Sequence, residues 1–433
     1  MQFGHPRRRI RTRTLVLAGL GAGTALLVGA RALAAVTLSD LPYGLPHLPL
    51  GPVDSEEFLN FLAGITNAAV HRRTRVTVLT NGDQFYTRDL ETMARARTSI
   101  NLEAYEFLRG EIAGRFLDVL TERARAGVAV KLVVDAVGSW ATPDRDFARL
   151  RKAGGRVAWY NPLRLPTWPR LNNRTHRKLL TVDGTIAFVG GADVSDEWLQ
   201  ATPSGPRWRD TVFCLEGPAV AGVQSVFTEN WLQASGEILC GPGQFPEHAI
   251  TGDVTALVVT STPVDGATRA RALFQALLES ARQAICITTP YFLPDKSACA
   301  ALTRAAQRGV QVRILTAGDY SDHPMTRNLS RALVQPLLRA GAKVFEYAPS
   351  MIHAKILTVD HHWAVIGSTN FDHRSFALND EINVALAGPA LVARIEQDFE
   401  NDLRDAVPLL VGRHRSMVER LEAPLSRLLE GEE

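Results

Sequence analysis

The chain has 433 residues, of which 46% are hydrophobic and 21% charged, which is typical of a globular protein long enough for two domains of ordinary size. Its formal net charge of +3 is too small to argue by itself for a nucleic-acid partner. Composition therefore favours a globular protein and gives no support to a nucleic-acid binder.

A basic cluster followed by an apolar stretch begins the chain. Five arginines between residues 7 and 13 precede an uncharged stretch from Thr14 to Ala30. At about 1.5 Å rise per residue this stretch is just long enough to span a bilayer. A signal peptide is the alternative, because Ala32-Leu33-Ala34 has the small-x-small form of a cleavage site. We expect an anchor within residues 1–38, with the arginines in the cytoplasm and the rest of the chain outside it.

A repeated octet dominates the remainder. HRKLLTVD occupies residues 176–183 and HAKILTVD residues 353–360, with six of eight positions identical. Upstream of each octet, the pattern predicts a helix ending near Gly127 or Gly309, a β-branched strand, another helix and a second strand. Each octet then begins a third strand, which turns at its final aspartate into a fourth, so that a hairpin is predicted.

Strands that alternate with helices predict the α/β class. The tandem repeat predicts a pseudo-twofold pair of α/β/α sandwich domains behind the N-terminal hydrophobic anchor helix. The predicted segments after residue 38 are a linker with a lead-in helix (39–75), a first half (76–245), a second half (246–405) and a C-terminal helical tail (406–433).

The His-x-Lys pairs within the octets predict a site. Residues two apart in a strand point to the same face, so each histidine and its lysine lie together. An exposed edge strand would explain one such pair, but lysines buried in apolar strands without partners are costly. Two lysines and two histidines that meet on an axis would suit a phosphoryl group.

The octets with their Gly-Gly or Gly-Ser continuation resemble the signature of the phospholipase D superfamily. Other stretches resemble bacterial cardiolipin synthases, namely INLEAYEF (100–107), NNRTHRKLL (172–180), WRDTVFCLEGPAV (208–220), TTPYFLPD (288–295) and GSTNFDHRSFALNDEINV (367–384). The resemblance covers roughly residues 75–405. It implies a phosphatidyltransferase of the bacterial cell membrane that makes cardiolipin from phosphatidylglycerol through a covalent phosphohistidine.

The resemblance also implies the site residues. The catalytic set is His176, Lys178, Asp183, His353, Lys355 and Asp360, and the supporting set is Asp210, Glu381, Ser368 and Asn370. One histidine attacks phosphorus and the other acts as acid and base, while the lysines neutralise the phosphoryl oxygens, so that no metal or other cofactor is required. An acid downstream of each motif, Asp210 and then Glu381, orients a histidine. The two motif aspartates resemble turn and support residues.

Two features of the first half differ from this simple pattern. Asp193 stands where the family usually has an asparagine; it would weaken the first half-site if it faced the phosphate, or it could face away. The segment NPLRLPTWPRLNNRTHRK mixes Leu163, Leu165 and Trp168 with Arg164, Arg170 and Arg174. An ordinary Pro-rich loop is one interpretation; the one we favour is a loop that inserts apolar side chains into the membrane while its arginines meet anionic headgroups.

Three other functions remain to be weighed against the transferase. Water could complete the reaction in place of an alcohol, which would make the chain a phospholipase D. An extracytoplasmic nuclease is disfavoured by the anchor, the near-neutral charge and the absence of a basic tract with interleaved aromatic residues. A non-catalytic membrane scaffold is disfavoured because both octets and both acids are intact.

Overall fold

The computed structural model describes residues 43–47, 51–162, 173–249, 252–262 and 268–412. The predicted anchor or signal peptide, most of the Pro-rich segment and most of the predicted C-terminal tail lie outside the described residues. Within the described ranges, no helix combines the length and apolar character needed to cross a membrane.

The elements of the first half include the predicted lead-in helix, helix–strand–helix–strand unit and hairpin in the predicted order, together with others that were not predicted. They are α1 (Glu56–Thr66), β1 (Val70–Thr80), α2 (Gly82–Ala94), β2 (Ser99–Ala104), α3 (Glu111–Arg125), β3 (Ala129–Asp135), α4 (Ala148–Lys152), β4 (Arg156–Tyr160), β5 (Arg174–Thr175), β6 (Leu179–Val182), β7 (Ile186–Gly190), β8 (Thr211–Glu216) and α5 (Ala219–Ser235).

The second half repeats this order with small additions. It consists of β9 (Val254–Ser261), α6 (Arg269–Ser280), β10 (Ala284–Thr288), β11 (Phe292–Leu293), α7 (Lys296–Gln307), β12 (Gln311–Ala317), α8 (Pro324–Leu333), α9 (Gln335–Arg339), β13 (Lys343–Tyr347), β14 (Ile356–Val359), β15 (Trp363–Gly367), β16 (Phe371–Asp372), α10 (His373–Ala377), β17 (Asn379–Ala387), α11 (Pro389–Leu403) and β18 (Ala406–Pro408).

Local sequence explains the repeated helix–strand units. Gly127 and Gly309 follow α3 and α7 with φ angles of 89° and 91°, a left-handed conformation that glycine adopts without steric cost. The strands that follow, β3 and β12, are rich in Val, Ile and Leu and almost fully buried, as strands of a parallel sheet covered on both faces are. The hairpins β6–β7 and β14–β15 form as predicted.

The strand order is the same in the two halves. Reading outward from the centre, the first half runs β1-β8-β7-β6-β2-β3-β4 and the second runs β9-β17-β15-β14-β10-β12-β13, with β18 added at the edge. The halves join where β1 pairs antiparallel with β9. The mixed α/β class is therefore confirmed, but all the strands except β11 and β16, which pair with each other, form one continuous sheet, and the described residues belong to one compact unit.

Apolar cores cover both faces of the sheet. In β10, Ile285 and Ile287 pack against α6 and α7, whereas the intervening Cys286 packs with Phe399 of α11 on the opposite face. The alternation follows from the two-residue period of a strand. A further core, around α5 and α11, combines side chains from strands of both halves. This shared core fixes the two halves relative to each other.

Two predicted boundaries need correction. The boundary at residues 75 and 76 falls inside β1, so the sheet begins earlier than predicted. Residues 406–408 form a strand that pairs with β13, whereas the sequence analysis predicted a helical tail from residue 406. The lead-in helix is present as α1, and it packs in the core that covers β10.

Candidate active site

Backbone hydrogen bonds tie each histidine motif to the opposite half. The short strand β5 pairs in parallel with the start of β17, and the His176 N–H donates to the carbonyl of Asp380 at 2.9 Å. In the related arrangement, the Arg209 N–H donates to the carbonyl of Met351 at 2.8 Å, and the His353 N–H donates to the carbonyl of Arg209 at 2.7 Å. Each histidine therefore lies beside the residue that precedes the acid of the other half.

The histidine–acid pairs consequently form across the halves. Nδ1 of His176 lies 3.0 Å from Oε1 of Glu381, and Nδ1 of His353 lies 3.2 Å from Oδ2 of Asp210. The sequence analysis placed one acid downstream of each motif; the structure shows that each acid contacts the histidine of the opposite half. Because a carboxylate accepts the Nδ1–H, Nε2 of each ring is available for chemistry, as a lone pair in the nucleophile or as an N–H in the acid.

The same pairs determine the charges of the site. Burial disfavours the ionised form of Glu381, but the charge of His176 and hydrogen bonds from His176 and Ser368 hold its pKa below the usual value. For Asp210, hydrogen bonding to His353 and the charge of Lys355 likewise outweigh burial and lower the pKa. Burial and then the charge of Lys355 lower the pKa of His353 to about 4. Anionic acids beside a neutral His353 are therefore expected near neutral pH.

The two lysines have different surroundings. Nζ of Lys178 lies 3.1 Å from Oδ2 of Asp193, donates to the carbonyl of His176 at 3.1 Å, and lies 5.2 Å from the centroid of the Tyr105 ring. Nζ of Lys355 donates to the carbonyl of its own histidine at 2.6 Å and lies 3.0 Å from that ring's Nε2. Burial lowers the pKa of Lys355 to about 7. Both ammonium groups therefore bind the backbone carbonyl of their own motif histidine, but only Lys355 also contacts the histidine ring.

All four groups belong to one site. The charge of Lys355 contributes to lowering the pKa of His176, and the charge of Lys178 does the same to His353. A Cβ atom on Gly191 would lie 2.6 Å from the carbonyl oxygen of His353, so the loop after β7 touches the second motif. Glycine is required there because any side chain would separate the two halves.

The motif aspartates lie at turns and not in the cleft. Asp183 accepts hydrogen bonds from the backbone N–H groups of residues 97, 98 and 99, and Asp360 accepts them from residues 282, 283 and 284. Their φ angles of 54° and 50° place both at the left-handed position of a hairpin turn. Their inclusion in the catalytic set is therefore corrected: they attach each hairpin to the start of β2 or β10.

Ser368 and Asn370, the other two predicted supporting residues, are both buried. Ser368 is fully buried, and its hydroxyl donates to Oε2 of Glu381. Asn370 is 6% exposed, and its Oδ1 has no hydrogen-bond partner among the described residues. A buried amide with an unpartnered atom has spare hydrogen-bonding capacity, and its N–H₂ group is a donor that suits an anion.

Trp198 is a site residue that the sequence analysis missed. Its Nε1–H donates to Oδ2 of Asp210 at 2.9 Å, and its ring centroid lies 5.2 Å from that of His353. In the second half the Ser368 hydroxyl donates a hydrogen bond to the acid Glu381. The first half has Gly191 at the position equivalent to Ser368, and there the indole N–H of Trp198 donates to the acid Asp210 instead. No repeated motif identifies Trp198, because the equivalent position of the second half, counted from the pair Gly190 and Gly367, is Ser375.

Arg174 is the one described residue among the six apolar and basic residues named for the predicted membrane loop, and it is buried. It is 2% exposed, and its Nη1 lies 3.4 Å from Oδ1 of Asp135. This arginine therefore stabilises the start of the motif, and the assignment of Arg174 to headgroup contact is wrong. Residues 163–172, which include the other members of that loop, lie outside the described residues.

Comparisons with known proteins agree with this geometry. A family model described as "Cardiolipin synthase, PLD-like domain" matches residues 90–201 and 274–403. The chain is 33% identical over 392 residues to the cardiolipin synthase of Geobacillus sp. (strain WCH70), covering 89% of this chain and 78% of that one. It is 34% identical over 375 residues to the major cardiolipin synthase of Bacillus subtilis (strain 168), covering 86% and 76%.

Solved structures share the fold at low sequence identity. The phosphatidylserine synthase of Haemophilus influenzae Rd KW20 matches with a TM-score of 0.67 and 14% identity, covering 85% of this chain and 97% of that one. The polyphosphate kinase of Porphyromonas gingivalis matches with a TM-score of 0.55 and 15% identity, covering 91% and 57%. These similarities concern the fold alone.

Proposed function

The chain belongs to the cardiolipin synthase family with phospholipase D-like domains, and from this premise we propose that it is a phosphatidyltransferase that makes cardiolipin from phosphatidylglycerol. The observation that carries the proposal is the composite site, in which each motif histidine is held by a buried acid of the other half. Such a site suits one phosphorus atom that reacts twice.

The first step forms a covalent intermediate. Nε2 of one histidine attacks the phosphorus of phosphatidylglycerol, and the bond from phosphorus to the headgroup oxygen breaks. The other histidine, which enters this step as an imidazolium with a proton on Nε2 as well as on Nδ1, donates the Nε2 proton to that oxygen, so glycerol leaves and the phosphatidyl group remains on the first ring. The acid at Nδ1 stabilises the positive charge that develops on the attacking imidazole. Lys178, Lys355 and the amide of Asn370 face the phosphoryl oxygens.

The second step reverses the roles with a new alcohol. The histidine that lost its proton takes one from the primary hydroxyl of a second phosphatidylglycerol headgroup. That oxygen attacks phosphorus, the phosphorus–nitrogen bond breaks, and cardiolipin is released. The histidines and lysines are almost entirely buried, from 4% to 9% exposed, and such a water-poor site favours transfer to a held alcohol over hydrolysis.

The proposal extends to the arrangement of the protein. The two halves, with the same strand order about the β1–β9 pair, act as a pseudo-twofold unit whose site lies between the repeats. A phospholipid substrate requires access to a bilayer. The arginine cluster before Thr14 supports a single N-terminal anchor in a bacterial cell membrane, with the catalytic part outside the cytoplasm.

Lipid analysis in bacterial cells that lack cardiolipin tests this function. Expression of the full chain is expected to restore cardiolipin, while His176→Ala and His353→Ala variants of equal abundance are expected to restore none. Accumulation of phosphatidic acid without cardiolipin would identify a phospholipase D instead. Cardiolipin made by either histidine variant would contradict the two-histidine mechanism.

A further inference from the structure

The two half-sites differ at one pair of equivalent positions. Strands β7 and β15 end at Gly190 and Gly367, and three residues later the chain has Asp193 in the first half and Asn370 in the second. Both side chains are buried, at 5% and 6% exposure. An anion therefore replaces a neutral amide at one of two otherwise similar places.

Asp193 is fixed on the lysine of its own half. One carboxylate oxygen lies 3.1 Å from Nζ of Lys178, and the other accepts the backbone N–H of Tyr105 at 3.0 Å. The same ammonium also donates to the carbonyl of His176 and faces the Tyr105 ring. The positive charge of Lys178 is therefore largely offset before any substrate enters.

Lys355 lacks such a partner. Its contacts are the carbonyl and ring of His353, and none of the carboxylates in the described ranges forms an ion pair with it. Asn370, which is equivalent in the repeat to the Asp193 that contacts Lys178, has an unpartnered amide oxygen, and rotation of the terminal amide exchanges oxygen and N–H₂ at this position. The second half thus offers an incoming anion an ammonium without a direct ion pair, although the charge of Asp210 acts on it, and an amide with one unpartnered atom.

Building on the proposed function, we propose that Asp193 makes phosphate binding asymmetric: the phosphoryl oxygens of the substrate are held mainly by Lys355 and Asn370, whereas Lys178 is neutralised by Asp193 and acts mainly in positioning His176. A phosphoryl oxygen about 3 Å from the Lys178 ammonium lies at most about 6 Å from the Asp193 carboxylate, so the carboxylate offsets roughly half or more of the attraction. The anion is therefore attracted less strongly by the first half than by the second.

Phosphate affinity tests this inference without turnover. Binding of inorganic phosphate to the purified full chain is measured by titration calorimetry below pH 7, where Lys355 is protonated. Asp193→Asn is expected to tighten phosphate binding at least about tenfold, because it releases the charge of Lys178. Asn370→Asp is expected to weaken it by a similar factor. Asp118→Asn, which makes the same charge change in an exposed ion pair, serves as the control and should have little effect.

Exchange of the two residues gives the sharper comparison. In the wild type, Lys355→Met should reduce phosphate affinity more than Lys178→Met, and in the Asp193→Asn/Asn370→Asp double variant this order should reverse. Equal effects of the two lysines in the wild type, or unchanged affinity in Asp193→Asn, would overturn the asymmetry. Thermal unfolding of each variant checks the fold, and Asn370→Asp provides an independent measurement if Asp193→Asn is unstable.

The phosphate-binding experiments and the cardiolipin assay can fail independently of each other. Loss of the predicted phosphate asymmetry with cardiolipin still formed would contradict only the role of Asp193. Asymmetric phosphate binding in a chain that makes no cardiolipin would contradict only the transferase assignment.

Discussion

Lys355→Met is expected to stabilise the fold while removing activity. Burial lowers the pKa of this ammonium from 10.5 to about 7, so the folded chain disfavours the charge that the unfolded chain carries freely. Between these two pH values the unfolded state binds more protons, and wild-type stability therefore rises with pH across this window. Methionine keeps the length of the side chain without any charge to bury.

The magnitude follows from the size of the shift. A change of about 3.5 pKa units, at about 1.4 kcal/mol each, gives an upper bound of about 5 kcal/mol below pH 7. The stability gain of Lys355→Met should be largest there and should vanish as the pH approaches 10.5. Lys178→Met should instead destabilise the fold, because it leaves the buried carboxylate of Asp193 without its ion pair.

Urea denaturation of both variants and the wild type at several pH values measures these differences. The expected result is a free energy of unfolding above wild type for Lys355→Met, converging on it at high pH, and one below wild type for Lys178→Met. A Lys355→Met variant that is less stable than wild type at every pH would refute the reasoning.

Three further predictions concern the supports of the site. Trp198→Phe keeps an aromatic ring but removes the hydrogen bond to Asp210. A hydrogen bond to a charged group is worth about 1.5–3 kcal/mol, which corresponds to roughly a 10- to 100-fold loss of kcat. Trp208→Phe, whose ring also contacts His353, is the matched control and should lose much less kcat. Asp183→Ala should lower the free energy of unfolding by about 2–4 kcal/mol, because three backbone N–H groups lose their acceptor. The folded fraction of this variant should keep the wild-type kcat, and a loss of kcat in the folded fraction would return Asp183 to the catalytic set. A reporter fused at the C-terminus should be active outside the cytoplasm, and activity confined to the cytoplasm would contradict the predicted orientation.

The sequence predicted the elements of the fold because they depend on local patterns. The glycines after α3 and α7, the apolar strands and the paired octets each carry their own signal, and the repeat predicted the hairpins of both halves. What the repeat could not predict is that its strands join in one sheet. That depends on the pairing of β1 with β9, which precede the repeated units and share no motif with them.

Within the site, the residues could be predicted but their pairing could not. Asp210 and Glu381 follow their own motifs in sequence, yet each contacts the histidine of the other half, because β5 pairs with β17 and Arg209 pairs with Ile352. The orientation of Asp193 was open in the sequence, and its contact with Lys178 became evident only from the path of the loop after β7.

The products formed from labelled phosphatidylglycerol test the central proposal most directly. The purified full chain, given vesicles of phosphatidylglycerol labelled in the phosphatidyl group, is expected to release glycerol and to place most of the label in cardiolipin, with phosphatidic acid a minor product. The ratio of the two lipids is the measurement. Phosphatidic acid as the main product, even with phosphatidylglycerol in excess, would show that water is the acceptor and would contradict the transferase assignment.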